Sequence, residues 1–306
     1  MTSIFPNLYK TKSMRIFSTL PLLFFSIVAF TQAPTEILLF ELKVTKDKIS
    51  IGEPKNITNH KGYDNQPSFH PDEPLIYYSS FNDDGRADIK YYNYKTGETK
   101  ALTQTNEREY SPSLTLDKQY VSCVIQRDNG AQDLGKYPVQ GGEASTIIDN
   151  MVIGYYVWMD NSHVGMFVLG KDSQPNTLHY LRLPTKADTI IAENIGRSLQ
   201  RVPNEDAFSF VHKITPTKWF IKKFYPRRKK GSIYLVSETP LYREDFCWTP
   251  DGKIILSDDG KILWLDPKRE KKWKEVEVES GAEQIKGASR VSVSPDGKFF
   301  AVVVNE

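Results

Sequence analysis

Residues 289–306 read SRVSVSPDGKFFAVVVNE. Val291 and Val293 alternate with Ser292 and Ser294, Pro295-Asp296-Gly297 follows, and Phe299 to Val304 is an unbroken apolar run. Alternation marks a strand with one wet face; an unbroken apolar run of this length marks a strand buried on both faces. Proline presets φ, aspartate can bond its own backbone and glycine accepts a positive φ, so the two strands form a hairpin. Its second strand has no partner after it. A four-stranded sheet cut after two strands has this form, and the other two strands must come from elsewhere in the chain.

The same strand–turn–strand pattern recurs upstream, at the ~40–50-residue spacing of stacked sheet units. Pro67 to Asp72 leads into Leu75 to Ser80, and Pro112 to Asp117 into Tyr120 to Gln126. Tyr156 to Asp160 leads into His163 to Leu169, Leu199 to Asn204 into Ala207 to Lys213, and Phe246 to Gly252 into Lys253 to Ser257. Each of these five hairpins is followed by two more strand signals, whereas the terminal hairpin has none. The missing pair is expected at Glu36 to Val44 and Ile49 to Thr58. Lys55-Asn56-Ile57-Thr58 echoes Lys100-Ala101-Leu102-Thr103, which closes the next unit. The expectation is an all-β, six-bladed β-propeller with four antiparallel strands per blade. Its N-terminal strands complete the C-terminal blade, which removes open sheet edges from the ring.

With the repeats laid out, the chain resembles the TolB-like six-bladed β-propellers, whose blades carry a Pro-Asp-Gly turn between first and second strands. The motif is complete in SPDGK at 294–298 and TPDGK at 249–253, and partial in HPDE at 70–73 and TLDK at 115–118. It is degraded at Met159-Asp160-Asn161 and Pro203-Asn204-Glu205. The resemblance covers the chain after its N-terminal segment and speaks to fold rather than function. TolB proper also carries an α/β domain before the propeller. No such segment is read here, so a role in the Tol envelope system is not carried over.

The chain has 306 residues, 25% charged and 39% hydrophobic, with a net charge of +2. That near-neutral balance argues against nucleic acid as a partner. The 16 Tyr and 16 Phe lean toward strands. Cys123 and Cys247 each sit in a strand-like run and read as small buried hydrophobes rather than a disulfide or metal pair. Arg15 precedes an apolar run from Ile16 to Phe30, followed by a small-residue site. This fits a secretory leader over 1–33, with Met14 as an alternative start and cleavage after Thr31 or Ala33. An uncleaved anchor is the other reading. Residues 34–306 are then one propeller domain, exported to the periplasm or secreted, monomeric and without a membrane span.

In a propeller the segments before the innermost strands meet around one opening of the central channel. Here they are Tyr63-Asp64-Asn65-Gln66, Arg108-Glu109-Tyr110-Ser111, Gly154-Tyr155-Tyr156, Gly196-Arg197-Ser198, Tyr242-Arg243-Glu244-Asp245 and Lys286 to Arg290. Tyrosine supplies rigid amphipathic contact, arginine bidentate donors for carboxylates, and acids an answer to basic groups. The candidate binding residues are Tyr63, Asp64, Asn65, Gln66, Glu109, Tyr110, Tyr155, Arg197, Arg243, Glu244, Asp245 and Arg290. The plainer alternative, that these polar loops are solvated or tie blades together, stays open.

No catalytic constellation stands out. The five histidines lack metal-ligand spacing, and there is no Gly-x-Ser-x-Gly elbow. Glu244 and Asp245 are adjacent and point to opposite faces of a strand. Asn82 to Gly85 and Asp258 to Gly260 lack the distal Glu of an EF-hand and read as turns. The basic run Lys222 to Lys230 reads as a solvated hairpin turn in the fourth blade, and the tryptophans as inter-blade packing. The leading expectation is a non-catalytic propeller binding a peptide or protein segment at the funnel, with no cofactor. The alternative is a hydrolase or lyase acting on a saccharide or lactone with a divalent ion in the channel, for which Asp64, Glu109 and Asp245 are the candidate carboxylates.

Overall fold

The terminal hairpin finds its partners at the start of the chain. Phe299–Asn305 pairs antiparallel with Thr35–Val44, from Thr35 opposite Asn305 to Glu41 opposite Phe299. Thr35–Val44 pairs onward with Ile49–Ile51, and Val291–Val293 lies on the far side of Phe299–Asn305. The computed structural model describes Met1, 33–228 and 231–306. The leader expected over 1–33 therefore falls almost wholly outside the described residues, as do Lys229 and Lys230 of the basic run.

The burial pattern explains the unbroken apolar run. Phe300, Val302 and Val304, with Leu38, Phe40 and Leu42, pack against Cys247, Ile255, Ile262 and Trp264 of the fifth blade. Ala301 and Val303, with Ile37 and Leu39, pack against Ile76, Tyr78 and Tyr92 of the first. Alternate side chains thus serve the two neighbouring blades, so both parities must be apolar. The same logic recurs around the ring, each inter-blade wedge holding its own apolar cluster.

Five further sheets of four antiparallel strands complete six blades. Their first strands are Asp64–Phe69, Arg108–Leu114, Ile153–Asp160, Ile195–Arg201 and Phe246–Trp248, for blades 1 to 5. Among the described residues, helix is confined to two 3-10 turns, Leu183–Thr185 and Ala282–Ile285.

The closing blade departs from expectation in its outer strand. Ile49 to Thr58 is broken into Ile49–Ile51 and Lys55–Asn56: the ladder runs on to Gly52, whose N–H reaches Glu41 O at 3.0 Å, then slips by one residue across Pro54, which has no N–H to donate. The strand expected at Trp273 to Val278 also divides. Lys274–Glu275 stays in blade 5, while Glu277–Val278 crosses over and pairs in parallel with Ile49–Ile51. A short strap thus covers the outer edge of the seam where the ring closes.

The tryptophans tie blades together. Trp158 Nε1 donates to Ser122 Oγ of the preceding blade at 2.9 Å, and Trp248 Nε1 does the same to Ser209 Oγ at 2.8 Å. Both thiols are free and buried, and burial pushes them up in pKa. They are packing residues, as read from the sequence.

Candidate functional site

The first strands leave a central channel of about 320 Å³. All six blades line it: Gln66 and Ser68, Ser111 and Ser113, Tyr155 and Val157, Arg197 to Arg201, Asp245 and Phe246, Arg290 and Ser292. Its charged lining is three arginines, Arg197, Arg201 and Arg290, and one acid, Asp245.

Asp245 organises these charges. Arg197 donates from Nε and Nη2 to its two carboxylate oxygens at 2.9 and 2.5 Å, a bidentate pair. Arg290 Nε lies 3.7 Å from Asp245 Oδ1, while its Nη2 donates to Tyr155 Oη at 2.7 Å. The Arg290 guanidinium also sits 4.7 Å from the centre of the Tyr155 ring. Burial pushes the Asp245 carboxyl up, but Arg290, Arg197 and Lys213 outweigh it and hold the group below its ordinary range. Burial likewise works against the charge on Arg197, and Asp245 overrides it to hold that guanidinium above its ordinary pKa. Nη1 of Arg197 and Nη1 of Arg290 have no hydrogen-bond acceptor among the described residues. Arg201, which donates only from Nη1, likewise keeps donors to spare.

Glu244 supports this centre from behind. Its Oε2 accepts the backbone N–H of Arg197 at 3.1 Å and Lys213 Nζ at 2.9 Å. Gly196 makes room for it: a Cβ there would stand 2.5 Å from Glu244 Oε2 and 3.0 Å from Val211 Cβ. The neighbours Glu244 and Asp245 do not converge on one point, yet both grip Arg197, one by backbone and one by side chain.

Of the twelve candidate residues, Gln66, Tyr155, Arg197, Asp245 and Arg290 line the channel. Gln66 has a φ of +60° and turns its Oε1 to the Ser111 N–H at 2.7 Å, joining blades 1 and 2. The other candidates are placed outside the lining. Tyr63 is buried against Phe81 and Tyr110, and burial raises its pKa. Asp64 is 1% exposed and faces His60 Nδ1 at 3.5 Å at the closing seam. Asn65 donates to Thr35 Oγ1 there at 3.3 Å. Glu109 is fully buried and accepts from Thr105 at 2.6 Å and Tyr137 at 2.9 Å. Arg243 turns back into its own blade, donating from Nε to Asp258 at 2.6 Å with Asp259 beyond. Tyr63 and Asn65 thus contact neighbouring blades, whereas Arg243 stays within its own.

Several lining residues stand outside the twelve candidates, although Tyr156 and Ser111 lie in the segments read as meeting at the opening. Tyr156 donates to Ser122 Oγ at 2.9 Å, and Arg201 Nη1 donates to Met159 O at 2.8 Å. The serines at 68, 113 and 292 carry no distinguishing signal in the sequence. A channel-bound divalent cation does not fit this donor set. Asp64 and Glu109 are away from the axis, and Asp245 is already gripped by Arg197 and faced by Arg290. Among the described residues no group of three His, Cys, Asp or Glu stands close enough to hold a metal.

No protein-family model matches the sequence, and no curated protein matches it. Solved structures do. A TolB-type protein from Agrobacterium tumefaciens aligns with a TM-score of 0.65 at 11% identity, over 90% of this chain and 99% of that one. TolB from Acinetobacter baumannii gives 0.55 at 13% identity over 90% of this chain and 64% of that one, so the chain spans under two thirds of its length. An oligogalacturonate lyase in complex with manganese gives 0.58 at 14% identity, over 85% and 83%. At such identities the likeness is one of fold alone. With six sheets in a ring, the ends of the propeller unit joined in one of them and structural likeness to two TolB proteins, the chain has the TolB-like six-bladed β-propeller fold.

Proposed function

We propose that the chain is an exported, non-catalytic propeller that binds a peptide or protein segment at the funnel face of its channel. The observation that supports this is the pair of arginines, Arg197 and Arg290, which line the channel, are fixed around Asp245 and each keep an Nη1 with no acceptor among the described residues. Guanidinium groups held in place by an acid and an aromatic ring suit a carboxylate, because they lose little freedom on binding it. A side-chain or terminal carboxylate of the segment is therefore the group recognised, with Tyr155 as the flat contact beside it. Export rests on the leader-like run at 16–30. Among the described residues no helix is long and apolar enough to cross a membrane.

The Arg197→Ala, Arg290→Ala double variant tests the reading, with Arg243→Ala as control. Partner proteins captured from envelope extract by the immobilised chain should be lost in the double variant and kept in the control. Both variants should keep the wild-type circular dichroism spectrum. An unchanged captured set on a folded double variant would sink the reading.

The second reading is a hydrolase or lyase acting on a saccharide or lactone, favoured by the fold likeness to a manganese-bound oligogalacturonate lyase. In this chain a divalent ion would have to compete with Arg197 and Arg290 for Asp245. A stoichiometric divalent metal in the purified protein, lost in Asp245→Asn, would favour that reading over the first.

A further inference from the structure

Blade 4 ends in the strand Ser232–Glu238, paired on one side only, with Lys218–Tyr225. An open sheet edge offers a row of backbone N–H and C=O groups to any extended segment, and proteins usually blunt it by brevity, charge or cover. The other outer edges of this ring obey that rule. Those of blades 1, 2 and 5 have three, four and two residues. That of the closing blade is covered by Glu277–Val278, and that of blade 3, Ala187–Glu193, carries two acids. The blade 4 edge is seven residues long, with no charge before Glu238 and no proline. Its Ile233, Tyr234 and Leu235 are 40%, 48% and 65% exposed. A bulge opposite Ile221 and Lys222 shifts the register after Leu235 before pairing resumes at Ser237, so Ile233 to Leu235 is the exposed regular stretch of the edge.

Beside the edge, between blades 4 and 5, lies a second cavity of about 320 Å³. Tyr225, Arg228, Tyr234, Trp248 and Lys268 line it. The Arg228 guanidinium sits 3.7 Å from the centre of the Tyr225 ring and 5.2 Å from that of Tyr234. Lys223 is committed to Glu205 at 2.7 Å. Glu205 and Asp251 line the cavity too, and Lys268 helps hold the Glu205 carboxyl below its ordinary range, yet among the described residues no carboxylate stands within ion-pair distance of Arg228 or Lys268. The cavity also touches Asn204, Asp251 and Gly252 of the hairpin turns, which places it at the face opposite the funnel.

We propose that the outer edge of blade 4 takes an extended acidic segment of another protein by strand addition. The backbone of the segment pairs along Ile233 to Leu235, and an acidic side chain enters the cavity at Arg228 and Lys268. Main-chain pairing supplies general affinity, and the cavity supplies the choice of side chain. Arg228 and Lys268, neither in an ion pair among the described residues, set the chemistry of that side chain. A second copy of this chain offers no acid at the same edge before Glu238 and does not answer them. The inference is independent of the channel.

The test uses the full chain and three synthetic heptapeptides. One alternates valine with aspartate, one valine with lysine, and the third is the aspartate peptide N-methylated at alternate residues. The aspartate peptide should bind by calorimetry and slow amide exchange at 233–235. Affinity should fall about tenfold or more in the Arg228→Ala, Lys268→Ala variant, whose thermal melt should match the wild type. The lysine and N-methylated peptides should not bind. Equal binding of either control peptide, or protection elsewhere in the chain, would overturn the proposal. So would a dimer by sedimentation whose 233–235 amides are protected without peptide. Binding to phosphatidylglycerol vesicles that the aspartate peptide fails to compete would overturn it as well.

Discussion

Asp245 is the residue on which the channel charges balance. Replacing it with asparagine keeps shape and removes the anion, leaving the Arg197 and Arg290 guanidiniums against each other. Breaking a fully buried pair from one side costs about 3–5 kcal/mol. Arg197 keeps 35% exposure, so water takes up part of the loss and roughly 2–3 kcal/mol is expected. Urea denaturation of Asp245→Asn at neutral pH should show that drop, whereas Arg243→Ala should lie within about 1 kcal/mol of wild type. Glu109 shows the opposite sign. Burial raises its carboxyl above the ordinary 4.5, with Thr105 and Tyr137 donating against that shift. The native state then holds a proton that the unfolded chain releases, so this group's contribution falls as pH rises from about 4.5 toward the folded value. Glu109→Gln cannot ionise. The stability difference, wild type minus variant, should decline across that window, and a flat difference from pH 4 to 8 would contradict it. At this scale the sequence was half legible. It offered polar and aromatic residues before each first strand, but strand parity alone could not say which face the channel. The reason is in the backbone: Gln66 and Ser111 have φ of +60° and +56°, each followed by proline. Each marks a register break, between Asn65 and Ser68 and between Tyr110 and Ser113. A bulge re-aims the side chains beyond it, and its position is not written in alternation.

The hairpin turn is the element most visible in the sequence, and its hydrogen bonds say why. Ser294 Oγ donates to Asp296 at 2.6 Å and accepts the N–H groups of Lys298 and Phe299 at 3.1 and 2.9 Å. Thr249 and Thr115 make the same arrangement in their own turns. The residue before Pro-Asp-Gly is therefore as much a part of the motif as the glycine, which sits at φ +70° in the last copy. In the first blade that position is His70, and the ring substitutes for the hydroxyl. Its Nδ1 accepts the N–H of Asp72 at 3.1 Å and of Glu73 at 2.9 Å. An acceptor Nδ1 requires a neutral ring. Burial lowers the His70 pKa from its ordinary 6.5, against the pull of Glu73 and Asp72. A depressed histidine contributes stability that is fully present above about 6.5 and is lost as pH falls toward the folded value. His70→Thr restores the hydroxyl used in three other blades and does not titrate. Thermal melts between pH 7.5 and 5 should show the wild type losing stability relative to His70→Thr, and parallel curves would rule the turn role out.

The whole ring depends on a seam, and there the argument from Ser289–Glu306 reaches furthest. The terminal hairpin could be seen as incomplete because its apolar run served two neighbours at once. The strap Glu277–Val278 could not be foreseen, since a two-residue parallel bridge leaves no pattern in the sequence. The seam joins the two ends of the propeller unit closely: Glu306 N donates to Pro34 O at 3.2 Å, and Gly62 N to Glu306 Oε2 at 3.4 Å. If closure comes from strand pairing rather than chain order, cutting elsewhere should be harmless while removing the hairpin should not. A circular permutant that links 306 to 33 through a short glycine–serine linker, and opens at the exposed Lys95-Thr96-Gly97 turn, keeps every blade pair. Its melting temperature should lie within a few degrees of the wild type. Deleting 289–306 instead removes Phe300, Ala301, Val302 and Val303, all wholly buried, and uncovers their partners in blades 1 and 5. The three larger of these side chains each contribute about 1.5–3 kcal/mol by burial, a sum comparable to the ~5–15 kcal/mol net stability of a whole domain. The truncated chain should be largely unfolded or aggregated by circular dichroism and sedimentation at 25 °C. A truncated chain that melts with the wild type would mean the ring holds without its seam, and the closing role of the terminal hairpin would have to be abandoned.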